Sequence, residues 1–188
     1  MKRGILTLAI IATLALAGIL LAQTPPVTFN ATASAKNEAK SVTEPVKIVI
    51  ERFMTDAERD TVAVALKQGG ASAAKEALLK LPDLGHVEFR GVKTPIKYAY
   101  PRSMGPGAGQ MITVATAKPI HYVGGAQPGA KPKTGTELGI ALLILDANGN
   151  GDGEIDPAAK VKLDEKGALV VEDYGSVKVW LKNVAIAK

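Results

Sequence analysis

The densest set of ligand-type side chains in the chain is the run LDANGNGDGEID, Leu145 to Asp156. Asp146, Asn148, Asn150, Asp152 and Asp156 offer carboxylate or amide oxygens at close intervals along it. Calcium takes six to eight such oxygens around a loop with a sharp glycine turn, so the spacing raises a calcium site. An EF-hand loop begun at Asn148 has oxygen donors at its first, third and fifth positions, then Gly153, Ile155 and Asp156 at its sixth, eighth and ninth. Its twelfth position, where a bidentate Glu belongs, is Ala159. Begun at Asp146, the loop gains a leading carboxylate and Gly151 at position six, but has Gly153 at position eight and Pro157 at position twelve. The flanks, GIALLIL and AAKVKL, read as strands where the motif needs helices. The competing reading is a β-hairpin tip, because Asn148-Gly149, Asn150-Gly151 and Asp152-Gly153 are pairs that accept positive φ. Both readings stand: a turn, or a calcium loop completed by a carboxylate from elsewhere.

Other reactive residue types are sparse. His86 and His121 are the two histidines, each inside a strand-like run, and no HxH, HExxH or paired spacing joins them. A hydrolase built around either is the third functional alternative. Ser103 sits in PRSMG, outside any GxSxG elbow. GPGAGQ, Gly105 to Gln110, lacks the Lys-Ser/Thr and the helix of a phosphate loop. Glu51, Glu58 and Asp60 cluster in sequence, with Glu58 expected in a helix cap and Asp60 on a helix surface. No catalytic residue is assigned, and the expected role is a non-enzymatic one.

Composition bounds the partners. The opening MKRGILTLAIIATLALAGILLA has Lys2 and Arg3 ahead of an uncharged apolar run and reads as a signal peptide, residues 1–22. Left uncleaved, the same run is a membrane anchor at the short end of the spanning range. The chain contains no cysteine, which excludes disulfides, a lipidated cysteine, thiolate zinc sites and a cysteine nucleophile. Loss of residues 1–22 removes two basic residues and no acid, so the formal charge falls from +5 to +3. So mild a charge, with 4% aromatic residues, argues against nucleic acid. The expected location is secreted or periplasmic, with an envelope or extracellular partner.

The elements that must position these residues follow from patterning. Residues 23–45, QTPPVTFNATASAKNEAKSVTEP, are poor in large apolar side chains and rich in Pro, Ser, Thr, Ala and Lys, and read as a flexible tether. VKIVIERF then reads as a leading strand. TDAERDTVAVALKQGG reads as a helix with a Thr55–Glu58 capping box, ended at Gly69-Gly70, and ASAAKEALLKLP as a second one, stopped by Pro82. From His86 onward, short runs rich in β-branched and aromatic residues alternate with Gly, Pro, Asn and Asp clusters: HVEFR, IKYAY, MITVATA, PIHYV, ELGIALLIL, AAKVKL, ALVVEDY and VKVWLKNV. The GIALLIL run lacks alternation, so it belongs in the middle of the sheet. Trp180 and Tyr174 are expected in or beside the sheet. The Gly- and Pro-rich stretches 101–109 and 124–136 read as long loops. The fold expected for residues 46–188 is one α+β domain: a short leading strand, two short helices and a mainly antiparallel sheet of about six to eight strands.

Through ERFMTDAERD, LKQGG, IKYAY, TAKPI, LDANGNGDGEI, PAAKVKLDEKGALVVEDY and VKVWLKNV, residues 46–188 resemble a group of uncharacterised secreted bacterial proteins. The group has an acidic residue and an Arg before the Pro-Ile pair, where this chain has Ala117-Lys118. The resemblance implies export and a shared α+β fold. It implies no activity and assigns no functional residue.

Overall fold

A computed structural model describes residues 25–36, 41–121, 135–174 and 178–187. The expected signal peptide and most of the 124–136 loop lie outside the described residues. In chain order the elements are β1 (Val27–Lys36), β2 (Ser41–Ile50), α1 (Asp56–Lys80), β3 (Gly85–Phe89), β4 (Val92–Ile96), β5 (Tyr98–Ser103), β6 (Gln110–Thr116), β7 (Leu138–Leu145), β8 (Gly151–Leu163), β9 (Leu169–Tyr174) and β10 (Val179–Ile186). No helix among the described residues is long and apolar enough to cross a membrane.

The α+β expectation is corrected by this inventory: the domain is mostly β, with ten strands and one helix among the described residues. The stretch read as a tether supplies β1 and the start of β2. Its pattern is a true strand pattern written in small letters. Val27, Phe29, Ala31, Ala33 and Ala35 are buried, while the intervening Thr28, Asn30, Thr32 and Ser34 face outward. Alanine side chains leave room for the opposite wall of a barrel, and they also hide the strand from a reading based on large β-formers. IKYAY divides into two strands at Lys97, and PIHYV forms no strand within its described residues.

Short connections dictate antiparallel pairing. The β3–β4 turn is Arg90-Gly91, both at positive φ (47° and 78°), the two-residue geometry whose twist suits a hairpin. The strands run in the order β4-β3-β2-β1-β10-β8-β7-β6-β5, and β9 pairs with β8 off this path. Strands at the two ends of that order are consecutive in the chain, separated by Lys97 alone. Its backbone N–H donates to the Ala115 carbonyl of β6 at 2.9 Å. The path thus bends back on itself into a nearly closed antiparallel barrel, which removes the exposed edges an open sheet would carry.

One face of the wall points inward. At one level, register places Ile112, Leu143, Gly153, Leu181, Ala33 and Glu44 side by side across six strands. Around β1 to β4 the outer face is solvated and carries His86, Glu88, Lys47 and Lys93. Trp180 also stands on the outer face of β10, 49% exposed, with the Lys178 ammonium 4.1 Å from its ring centroid.

The outer face of β5 and β6 is covered. Tyr98, Thr113 and Ala115 are buried together with the inward Ile112 and Val114, and α1 packs against β5 and β8. Helix placement is fixed at its start. Thr55 Oγ1 accepts from the Glu58 N–H, Glu58 accepts from the Thr55 N–H at 2.8 Å, and Arg52 grips the Glu58 carboxylate through two nitrogens at 2.7 and 2.9 Å. The Arg52 guanidinium first, and then the Thr55 amide, hold the Glu58 carboxyl down at about 2. Arg59 then donates to Tyr100 on β5, whose hydroxyl donates to Asp56 at 3.1 Å. The two expected helices are one 25-residue helix kinked at Gly69 and Gly70, where φ and ψ leave the helical range. Val62, Leu66, Ala74 and Leu78 are its buried residues.

Candidate binding groove

The acidic run divides between a turn and a strand. Residues 146–150 form the β7–β8 turn, whereas Asp152 and Asp156 lie within β8. In the turn, the Asp146 N–H donates to the Asn150 carbonyl at 2.7 Å and the Gly149 N–H donates to the Asp146 carbonyl at 3.1 Å. Asp146 Oδ1 accepts from the backbone N–H groups of Asn148 and Asn150 at 2.8 and 2.9 Å. The first carboxylate of the supposed calcium loop therefore holds the hairpin together.

The remaining acids point elsewhere. Asp152 is exposed on the outer face, where Lys182 donates to it at 2.7 Å and holds its carboxyl below the ordinary value. Asp156 is buried opposite Ile140 and accepts from the Ala158 N–H at 3.1 Å. Four residue steps of extended strand separate Asp152 from Asp156, about 13 Å, whereas calcium ligands sit about 2.3–2.6 Å from the ion. Asn148 and Asn150 stay in the exposed turn. Among the described residues, no group of three or more His, Asp or Glu converges on a point that would hold a metal. Gly151 and Gly153, read as turn residues, belong to β8. A Cβ at Gly151 would lie 1.9 Å from the Ile144 carbonyl oxygen, and one at Gly153 would lie 2.4 Å from that of Leu142. Their absent side chains let β8 approach β7.

The other sequence candidates are also dispersed. His86 lies on β3 beside Glu88, Nε2 to Oε2 3.7 Å, and His121 follows β6; these strands are not neighbours in the sheet. Glu58 is used by the helix cap, and Asp60 pairs with Arg59 at 2.9 Å. Ser103 Oγ accepts from the Gly105 N–H at 3.2 Å.

A second hairpin repeats the first. In LDEKGA, Leu163 to Ala168, the Asp164 N–H donates to the Ala168 carbonyl and the Gly167 N–H donates to the Asp164 carbonyl, at 2.9 and 3.0 Å. Asp164 Oδ1 accepts from the Lys166 and Ala168 N–H groups, both at 2.9 Å. Asp164 Oδ2 is also bound by Arg102, from the far end of β5. Burial pushes the Asp164 carboxyl up, but the Arg102 guanidinium and the two turn amides outweigh it and leave it below the ordinary value. This ion pair ties the β8–β9 turn to the barrel wall.

An open groove of about 740 Å³ lies where the two meet. Met104, Met111, Leu163 and Val170 supply its apolar surface, and Arg102, Lys162, Asp164, Glu165 and Lys166 supply its ionic rim. The volume is in the range of small-molecule sites, about 300–1,000 Å³. Methionine is unbranched and polarizable and adapts to irregular apolar ligands. Ser103, weighed above as a nucleophile, also lines the groove, and Arg102 and Met104 fall in the 101–109 stretch read as a loop; the other lining residues carry no signal of their own in the sequence. The available signal was the repeated Leu-Asp-x-x-Gly at Leu145 and Leu163, which marks two alike turns but not the Arg102 contact across the fold. No protein-family model, curated protein or solved structure matches the chain.

Proposed function

We propose that the protein is an exported, non-enzymatic binding module whose ligand site is the groove between the β5–β6 end and the β8–β9 hairpin. The observation that carries this reading is the pairing of an apolar floor with ionised rim groups at a place braced by Arg102 and Asp164. Such convergence of a few polar groups on an apolar concavity is the usual layout of a ligand site. The charged N-terminal apolar run supports export. Native mass spectrometry of the protein recovered from an envelope extract tests the reading. The expected result is a non-covalently bound small molecule that is lost from Ser103→Trp, a substitution that fills the groove from its edge. A ligand-free protein that turns over generic esters or peptides would overturn it.

A further inference from the structure

The groove's charges do not cancel once its ion pairs are taken into account. Arg102 is bound to Asp164. Among the described residues, Lys162 and Lys166 have no salt bridge, and Glu165 is the opposing unpaired acid at this rim. A smaller groove of about 430 Å³ opens on the other side of Lys162 and Leu163, between β8 and the kink of α1. Leu66, Ala71 and Val161 line it, Lys160 is paired there with Glu172 at 2.9 Å, and Lys67 has no salt bridge among the described residues. Lys162 therefore lines two apolar-floored grooves, within Coulombic reach of the Lys160-paired Glu172, and with Lys67 and Lys166 it makes three cations outside any salt bridge among the described residues against the one acid Glu165. A wholly polar anion would leave both floors unused, and a neutral apolar ligand would leave the ammonium groups unmatched.

We infer that the grooves take a single-chain anionic amphiphile, its acyl chain against Met104, Met111 and Leu163 and its headgroup at Lys162 and Lys166. This rests on the groove being the ligand site. Isothermal titration of the purified protein with decanoate, decanol and acetate tests it. Decanoate should bind more tightly than decanol, and acetate should neither bind nor compete. Lys162→Gln with Lys166→Gln should weaken decanoate about fivefold, the scale expected for exposed charge pairs, while leaving decanol unchanged. Circular dichroism of the double variant, whose substitutions replace surface ammonium groups, checks that it is folded. Equal binding of decanoate and decanol, competition by acetate, or indifference to the lysine pair would each overturn the inference. Absence of any decanoate heat overturns it too, whereas the binding-module reading fails separately, on the co-purified mass and the turnover assay.

Discussion

The β7–β8 and β8–β9 hairpins are built on one plan and do different jobs. LDANGN and LDEKGA share the Asp that accepts from backbone N–H groups two and four residues on. They also share a glycine at φ near +80°, Gly149 at 79° and Gly167 at 75°. Asp146 uses its carboxylate for the turn and is exposed, whereas Asp164 adds Arg102 and anchors the turn to the wall of the barrel. After the turns the plans diverge as well. Gly151 follows the first, and the matching position after the second is Leu169, buried in the core. The sequence that looked most functional is a turn fitted tightly into the barrel, and its plainer twin borders the groove.

The largest effect should come from that divergence. Gly151→Ala puts a Cβ 1.9 Å from a carbonyl oxygen of β7, so the two strands must separate. Overpacking of this kind costs about 3 kcal/mol. Gly167→Ala meets nothing within 4 Å, and both Gly149→Ala and Gly167→Ala strain the backbone at positive φ, at about 1–2 kcal/mol each. Urea unfolding of the three variants checks the ranking, and a Gly151→Ala loss no larger than the others would remove the asymmetry.

Next comes the Asp pair itself. Asp164→Ala removes two turn hydrogen bonds and the Arg102 anchor and should cost about 2 kcal/mol, while Asp146→Ala should cost about 1 kcal/mol. In an Arg102→Ala background the Asp164→Ala loss should fall to the Asp146 value. The double-mutant cycle isolates the anchor, and two unchanged losses would show that the contact contributes nothing.

How much of this was legible follows from where each signal lies. The Thr55–Glu58 cap and most later strands could be read because local residues specify them, through a side-chain reach of one helical turn or a period of two. β1 is hard to read because alanine fills three of its five inward positions, Ala31, Ala33 and Ala35, and Thr, Asn and Ser its outward ones, which is also the composition of a linker. Closure of the sheet was not legible, since it depends on Lys97 joining strands that stand at opposite ends of the order. The groove was hidden for the same reason: Arg102 and Asp164 meet only after the barrel has formed. The buried Glu44, paired with Arg90 from the β3–β4 turn, is a third such long-range contact.

Acid should distinguish the anchored turn from the rest more gently. Asp164 has a carboxyl held below its ordinary value of 3.8, so its contribution is present above that value and disappears as pH falls through the lower folded value. Glu58 behaves alike over a stated window, with its contribution complete above 4.5 and lost as pH falls toward about 2. Thermal melting from pH 5 to pH 2 should show a stability decline that is shallower in Asp164→Asn and shallower again when Glu58→Gln is added. A slope unchanged by both substitutions would mean that other groups dominate acid unfolding.

The smallest expected effect is that of calcium on the first hairpin. A site with a dissociation constant of about 10⁻⁴ M would stabilise the fold by about 2.7 kcal/mol at one hundred times that concentration. Calcium at ~10 mM is therefore enough to reveal even a weak extracellular-type site. The hairpin offers no such gain, because Asp146 already accepts two backbone N–H groups, Asp152 is held by Lys182, and Asp156 is buried farther along the strand. Melting curves with calcium and with a chelator should superimpose. Asp146→Asn, which keeps an oxygen acceptor for the turn but removes its charge, should leave them superimposed. A calcium-dependent rise abolished by that substitution would make the first hairpin a metal site after all, and would separate it from its twin by chemistry as well as by packing.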